Sequence, residues 1–436
     1  MARIGYHFLD RYVFTVTGRY DGSSRLAEGN KYAFFPSVGV AWLIGDEPFM
    51  QDSRLFSDLK LRASWGKVGN AAVAPYQTQG GLERTAYNFG GDLSFGYRPS
   101  IIENPNLKWE RTTQIDLGLD VGLFDNRITA AIDVYRADTE DLLMRRQLPT
   151  TSGFGSVLEN VGETRNTGIE VSLSTVNIET EGGFRWTTDI NWAHNKNEIV
   201  SLYGGTEDDV GNRWFIGQPI HDCDNPTDLG TCRFVVHFDH EFAGIWQLGE
   251  EAEAASYGSE PGRIRIRDQN NDGVINDDDR VLLGDMYPDW TGGMTNRFEY
   301  GNLDLSVFAA ARMGYTIHNG IGSVQHGRYN MLDIPYWTED RPSNQYPQPN
   351  NDNEVIPFIR TVWYESGSHI RIRNVTLGYN LPASFAERFS ARSARIYAQA
   401  HDPFLFTDYK GYDPENGTTA TIPSTKKFLF GVSIGF

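Results

Sequence analysis

The segment Lys426–Phe436 reads KKFLFGVSIGF, and its alternation restricts the fold more than any other part of the chain. In an extended chain Phe428, Phe430, Val432, Ile434 and Phe436 point one way and Leu429, Gly431, Ser433 and Gly435 the other. One side is apolar and the other, apart from Leu429, is small or polar, so the strand meets two unlike environments. An aromatic closing a strand of this kind is the habit of outer-membrane β-barrels, whose strands need roughly 9–11 residues to cross a bilayer.

The same alternation recurs along the chain. Arg11–Asp21 sets Tyr12, Phe14, Val16 and Tyr20 against Thr15, Thr17 and Arg19. Gln114–Leu123 sets Ile115, Leu117, Leu119, Val121 and Leu123 against Gln114, Asp116, Gly118, Asp120 and Gly122. Two inward carboxylates are costly in a dry core and tolerable in a watered lumen. Arg127–Tyr135, Gly168–Thr175, Phe184–Ala193, Leu303–Ala311 and Ile370–Asn380 follow suit, with tight turn signals at Phe124–Asn126 and Gly301–Asn302. Aromatics at 13% suit interfacial girdles, and no run of about 18 apolar residues offers a transmembrane helix. A net charge of −18 argues against nucleic acid as a partner.

Connections alternate between short and long. The short ones are Leu9–Asp10, Gly45–Asp58, Phe124–Asn126, Thr180–Gly183, Gly301–Asn302 and Ala383–Arg392. The long ones are Gly22–Lys31, Gly69–Lys108, Leu148–Glu163, Asn195–Asp289, Tyr315–His369 and Thr407–Thr425. Short periplasmic turns and long external loops are the outer-membrane pattern. The count is 13 strands. Bacterial single-chain barrels use even numbers, so the expectation is the C-terminal part of a larger wall. The opening MARIGYHFLD carries no signal sequence, and the true N-terminus is expected to lie upstream.

Taken together, DRYVF (Asp10–Phe14), RYDGSSRL (Arg19–Leu26), FPSVGVAW (Phe35–Trp42), LKLRASWGKVGN (Leu59–Asn70), NPNLKWE (Asn104–Glu110), NVGETRNTGIE (Asn160–Glu170), GIWQ (Gly244–Gln247) and LGYNLP (Leu377–Pro382) resemble the barrel portion of SusC/RagA-type TonB-dependent receptors. The resemblance runs through essentially all of residues 1–436 and implies an antiparallel transmembrane barrel of roughly 22 strands with long external loops. It further implies active import of oligosaccharides or peptides across the bacterial outer membrane. The expected partners are outer-membrane lipid, a SusD-like surface lipoprotein and the TonB complex acting through a plug that residues 1–436 do not include. Two other readings stay open: a passive or adhesive porin-like barrel, and a soluble calcium-dependent carbohydrate-binding β-protein.

Within the long external region 195–291, Asp268–Asp279 (DQNNDGVINDDD) carries the sharpest chemical motif. Asp268, Asn270 and Asp272 take the first, third and fifth places of an EF-hand-like loop, Gly273 the turn, Val274 the carbonyl place and Asp279 the last. The short apolar flanks read as strands, so the expectation is a structural Ca²⁺ hairpin; the alternative is a solvated acidic turn. Receptors that the chain resembles often carry such a D-x-N-x-D-G stretch, which favours Ca²⁺. Cys223 and Cys232, with His221, His237 and His240 nearby, read as a small disulfide, a Cys₂His₂ zinc site or free thiols. Trp65, Trp109, Trp214, Trp246, Trp337 and Trp363 lie in loops or strand mouths, as sugar-stacking faces or as members of the girdle. No G-x-S-x-G or H-E-x-x-H motif points to an enzyme.

Overall fold

A computed structural model describes residues 1–220, 235–320, 333–349, 356–416 and 424–436. The chain divides into two compact units, Met1–Phe234 with Asn296–Phe298, and Val235–Thr295 with Glu299–Phe436. The expected loop region 195–291 therefore falls partly in each.

The first unit holds β1 (Ala2–Phe8), β2 (Tyr12–Gly22), β3 (Tyr32–Leu43), β4 (Phe56–Asn70), β5 (Gly81–Phe89), β6 (Asp92–Ile101), β7 (Glu110–Leu123), β8 (Ile128–Gln147), β9 (Ser156–Glu179) and β10 (Phe184–Leu202). The second holds β11 (Val236–His240), β12 (Phe242–Ile245), helix α1 (Glu251–Ser256), β13 (Ile264–Ile266), β14 (Arg280–Asp285), the greater part of β15 (Trp290–Tyr300), β16 (Leu303–Met313), β17 (Thr316–His318), β18 (Tyr364–Ser366), β19 (His369–Asn380), β20 (Ser393–Thr407) and β21 (Lys427–Gly435). Wall strands run β1-β2-β3-β4-β7-β8-β9-β10 in the first unit and β15-β16-β19-β20-β21 in the second. Among the described residues they number the expected 13, and successive wall strands from β1 to β10 and from β16 to β21 pair antiparallel. The other pairs, β5–β6, β11–β14, β12–β13 and β17–β18, are hairpins or small ladders within the long connections.

Register turns alternation along each strand into continuous rows across the wall. Phe14, Val40, Ala63, Leu117, Val134 and Ile169 lie side by side from β2 to β9. In the second unit Leu305, Leu377, Ala398 and Phe430 do the same. This face is exposed: Val16 is 50% accessible, Leu117 56% and Phe430 84%. Aromatics bracket it. Tyr12 stacks on Trp42 at the short-turn end of β2, and Tyr20 on Tyr32 at the other end, with ring centroids 6.2 and 5.5 Å apart. So broad an apolar surface would aggregate in water, whereas a bilayer solvates it and leaves the backbone to interstrand bonds.

Tight turns match the sequence. Leu9 and Asp10 both take positive φ (51° and 55°) and the Arg11 amide donates to the Phe8 carbonyl at 3.2 Å, so a tight turn that follows the strand twist closes the three-residue connection. Within the next short connection Glu47, 7% exposed, accepts from Arg11 Nη1 (2.7 Å), Tyr12 Oη (2.6 Å) and Trp42 Nε1 (3.0 Å). The Tyr12 hydroxyl, then the indole and guanidinium, hold its carboxyl below the usual range.

The strands exceed the alternating stretches. β8 and β9 continue past the apolar band, shrinking the expected Leu148–Glu163 loop to residues 148–155. There the pairing is carried by Arg146–Glu159 (3.0 Å) and Arg165–Asp138 (2.7 Å). Alternation stops where lipid contact stops, but hydrogen bonding does not.

Buried apolar side chains gather in the external connections and in the strand ends that meet them. Leu26, Ala33, Phe35, Val73, Leu107 and Trp109 form one core in the first unit, and Met144, Ile199, Leu202 and Trp214 a second. Ile245, Ile264, Ile266, Trp337, Tyr346, Ile356, Ile359 and Trp363 form the core of a loop module in the second unit. Each fully buried Leu or Ile contributes roughly 1.5–3 kcal/mol, so the described parts of these loops are folded structures.

Candidate functional site

The wall face opposite the apolar rows is polar and ion-paired. Arg62 on β4 grips Asp120 with two bonds (Nε–Oδ2 3.0 Å, Nη2–Oδ1 2.8 Å) and reaches Asp133 on β8 at 2.9 Å. Gly118 lies between; a Cβ there would come within 2.6 Å of Arg62 Cζ. Gly378 serves Arg395 and Asp304 in the same way, the pair closing at 2.5 Å over its backbone. Tyr135 crosses Gly168 to reach Asn195 Oδ1 at 3.0 Å. These charges keep about a quarter to a third of their surface, as expected of groups lining a watered lumen. In a dry core such pairs would scarcely offset their desolvation.

The acidic loop Asp268–Asp279 sits between β13 and β14 and not between helices, but those strands pair with β12 and β11 rather than with each other, so it joins two ladders and is not the expected hairpin. Asp268 accepts from the amides of Asp272 (3.3 Å) and Gly273 (2.8 Å), Asn270 Oδ1 from Asp272 N (3.0 Å), and Asp272 Oδ1 from Val274 N (2.8 Å). Gly273 supplies the left-handed turn at φ 83°. Asp279, 0% exposed, ties the two ends: its oxygens accept from Gln269 N (2.9 Å) and Asn276 N (2.8 Å). The five expected ligands thus share one loop, with Asp279 pinning its base. Among the described residues no three His, Cys, Asp or Glu side chains converge as a metal set. His240 Nε2 lies 2.8 Å from the Asn276 carbonyl and His237 Nε2 2.9 Å from that of Thr316, so both rings brace the module. Cys223, Cys232 and His221 lie outside the described residues.

A third cluster escaped the sequence reading. Arg371 on β19, 2% exposed, pairs with Asp413 at 2.5 Å and with Glu415 at 3.1 Å. His369 Nε2 stands 3.4 Å from Glu415, and Arg373, displaced by a bulge, reaches Glu415 and Asp402. The His369 contact and the two guanidiniums hold the Glu415 carboxyl down to about 2, against the opposing pull of burial. Tyr409 Oη donates to Asn319 Oδ1 at 3.1 Å and the Lys410 amide to Glu365 at 2.9 Å. Residues 408–416 are thereby clamped to β19 and to the β17–β18 ladder. The acids lie about 40 residues from their arginine along the chain, with no local motif to announce them.

The tryptophans divide unexpectedly. Trp65 is 37% exposed in the apolar row, as a girdle residue is. Trp109, Trp214, Trp246, Trp337 and Trp363 are each at most 8% exposed in loop cores, and so serve neither girdle nor open stacking face.

An antiparallel wall with one lipid-type face, one ion-paired polar face and folded connections defines a transmembrane β-barrel wall of the outer-membrane type. The family model described as "TonB dependent receptor-like, beta-barrel" matches residues 2–222, and the chain belongs to that family. Membership places the wall in the bacterial outer membrane. TonB-dependent receptor P3 of Formosa agariphila is 35% identical over 95% of this chain and 41% of its own length. TonB-dependent receptor SusC of Bacteroides thetaiotaomicron is 30% identical over 100% of this chain and 43% of its own. A solved structure of the RagAB peptide transporter superposes with a TM-score of 0.81 at 27% identity, covering 100% of this chain and 47% of that one. The resemblance to SusC/RagA-type receptors therefore holds along the whole chain, which spans less than half the length of these relatives.

Proposed function

We propose that this chain supplies wall, lumen and external loops to an active importer of oligosaccharides or peptides. A plug energised by the TonB complex would gate it, and a SusD-like surface lipoprotein would cover its loops. The observation that carries this reading is likeness to SusC and to the RagAB transporter along 95% or more of the chain, loops included. The chain's part is binding and passage: the Arg62–Asp120–Asp133 cluster and the Arg395–Asp304 pair keep the lumen polar. The test is uptake of labelled oligosaccharides and peptides by cells carrying the complete receptor, with and without TonB. Uptake of one class that needs TonB is expected. Uptake indifferent to TonB would favour the passive porin reading.

We also propose that Ca²⁺ binds the loop through Asp268, Asn270, Asp272, the Val274 carbonyl and Asp279. Support comes from the turn at Gly273 and from carboxylates already ordered by the loop's own amides. Its role would be to stiffen a loop within a long connection. Protection of residues 268–279 from proteolysis by Ca²⁺, reversed by a chelator, is the expected result.

A further inference from the structure

The loop module of the second unit contains a cleft of about 610 Å³, within the range of small-ligand sites. Three segments enclose it: the end of α1 with the residues after it (256–260), Gly273–Ile275 of the acidic loop, and Ile356–Phe358. Its floor is apolar, with Trp246, Ile264 and Ile266 at 3%, 6% and 8% exposure. Its rim includes Val274 and Phe358, still 58% and 39% exposed. On the opposite wall Arg263 Nε pairs with Glu260 at 3.1 Å, and Ser259 adds a hydroxyl.

The lining discriminates between ligand chemistries. A pyranose ring needs an open aromatic face, and here Trp246 offers none: the Arg265 guanidinium lies 4.3 Å from its ring centroid and Tyr257 stacks at 6.1 Å. Ile264, Ile266, Val274, Ile275 and Ile356 instead line the cleft among its polar groups, and they suit an apolar side chain. The neutralised Arg263–Glu260 pair beside them offers a donor and an acceptor to peptide groups while favouring neither ligand charge.

We infer that this cleft captures a peptide segment bearing a branched aliphatic or aromatic side chain at the outer surface, before passage through the wall. The inference deepens the importer reading by naming a ligand class, and rests on that reading for its purpose only. The test is calorimetric titration of the complete receptor in detergent with acetyl-Gly-Leu-Val-Gly-amide, acetyl-Gly-Ser-Ser-Gly-amide and maltotetraose. The Leu-Val peptide should bind roughly tenfold or more tighter than the Ser-Ser peptide, and maltotetraose should not displace it. Ser256→Trp and Ser259→Trp, both in the lining, should each weaken it by a similar factor with the thermal transition unchanged. Equal binding of the two peptides, displacement by maltotetraose, no binding, or indifference to both substitutions would overturn the inference. Since binding is measured without transport, its failure is separate from a failure of TonB-dependent uptake.

Discussion

Arg371→Met removes the cation at the centre of the clamp on residues 408–416 while keeping much of its volume. Asp413, 5% exposed, loses its paired guanidinium. Glu415 keeps Arg373 and His369, so one carboxylate is orphaned rather than two. Breaking a buried pair from one side costs about 3–5 kcal/mol, because the remaining charge stays desolvated. The cost falls on the clamped segment. Hydrogen exchange followed by mass spectrometry, on the receptor in detergent at neutral pH, should show amides in 408–416 exchanging up to roughly a hundred- to a thousand-fold faster. Exchange in β20 should change little. Adding Asp413→Asn should return much of the protection, since the stranded charge is gone. Exchange within a few-fold of the parent, or a double variant no better protected than Arg371→Met, would refute the reasoning.

Other predictions follow from single contacts. Burial, with the Arg360 and His237 charges adding, pushes the His318 ring down to about 4. The unfolded chain takes that proton near 6.5 and the folded one resists it, so stability of the loop module should fall as pH drops from 6.5 towards 4. His318→Phe should remove that slope, gaining about 1–2 kcal/mol at pH 5 by thermal unfolding. Asp279→Ala strands the amides of Gln269 and Asn276 and should cost about 1–3 kcal/mol with or without Ca²⁺. Asp272→Asn should weaken only the Ca²⁺-dependent protection of the loop from proteolysis. Gly118→Leu drives a side chain into the Arg62–Asp133 contact and should lower the yield of folded barrel on heat-modifiability gels, whereas Gly39→Leu, where a Cβ meets open space, should not.

The wall was legible because lipid and water act on alternate residues. Ile115 to Leu123 on β7 carry that signal plainly, and the positive-φ turns at Leu9–Asp10 and Phe124–Asn126 mark the strand ends. Legibility ended where lipid contact ends. The outer halves of β8 and β9 are held by ion pairs between residues such as Arg146 and Glu159, which leave no period-two pattern. The loop cores were hidden for a related reason: Leu26, Phe35 and Trp109 meet from separate segments, and a sequence window sees each alone. The acidic loop was visible because its five expected ligands lie within twelve residues, whereas the Arg371–Asp413 clamp spans 42.

The central claim is that one face of each wall strand meets lipid and the other a watered lumen. Single cysteines placed in turn at positions 114, 115, 116, 117, 119, 120, 121 and 123 of β7, leaving the crowded Gly118 and Gly122 in place and with Cys223 and Cys232 replaced by serine, can each carry a spin label in receptor held in native outer membranes. Labels at 115, 117, 119, 121 and 123 should be relaxed by oxygen dissolved in lipid, and those at 114, 116 and 120 by a water-soluble nickel chelate. Accessibility without a period of two, or with water reaching the odd positions and lipid the even ones, would contradict it.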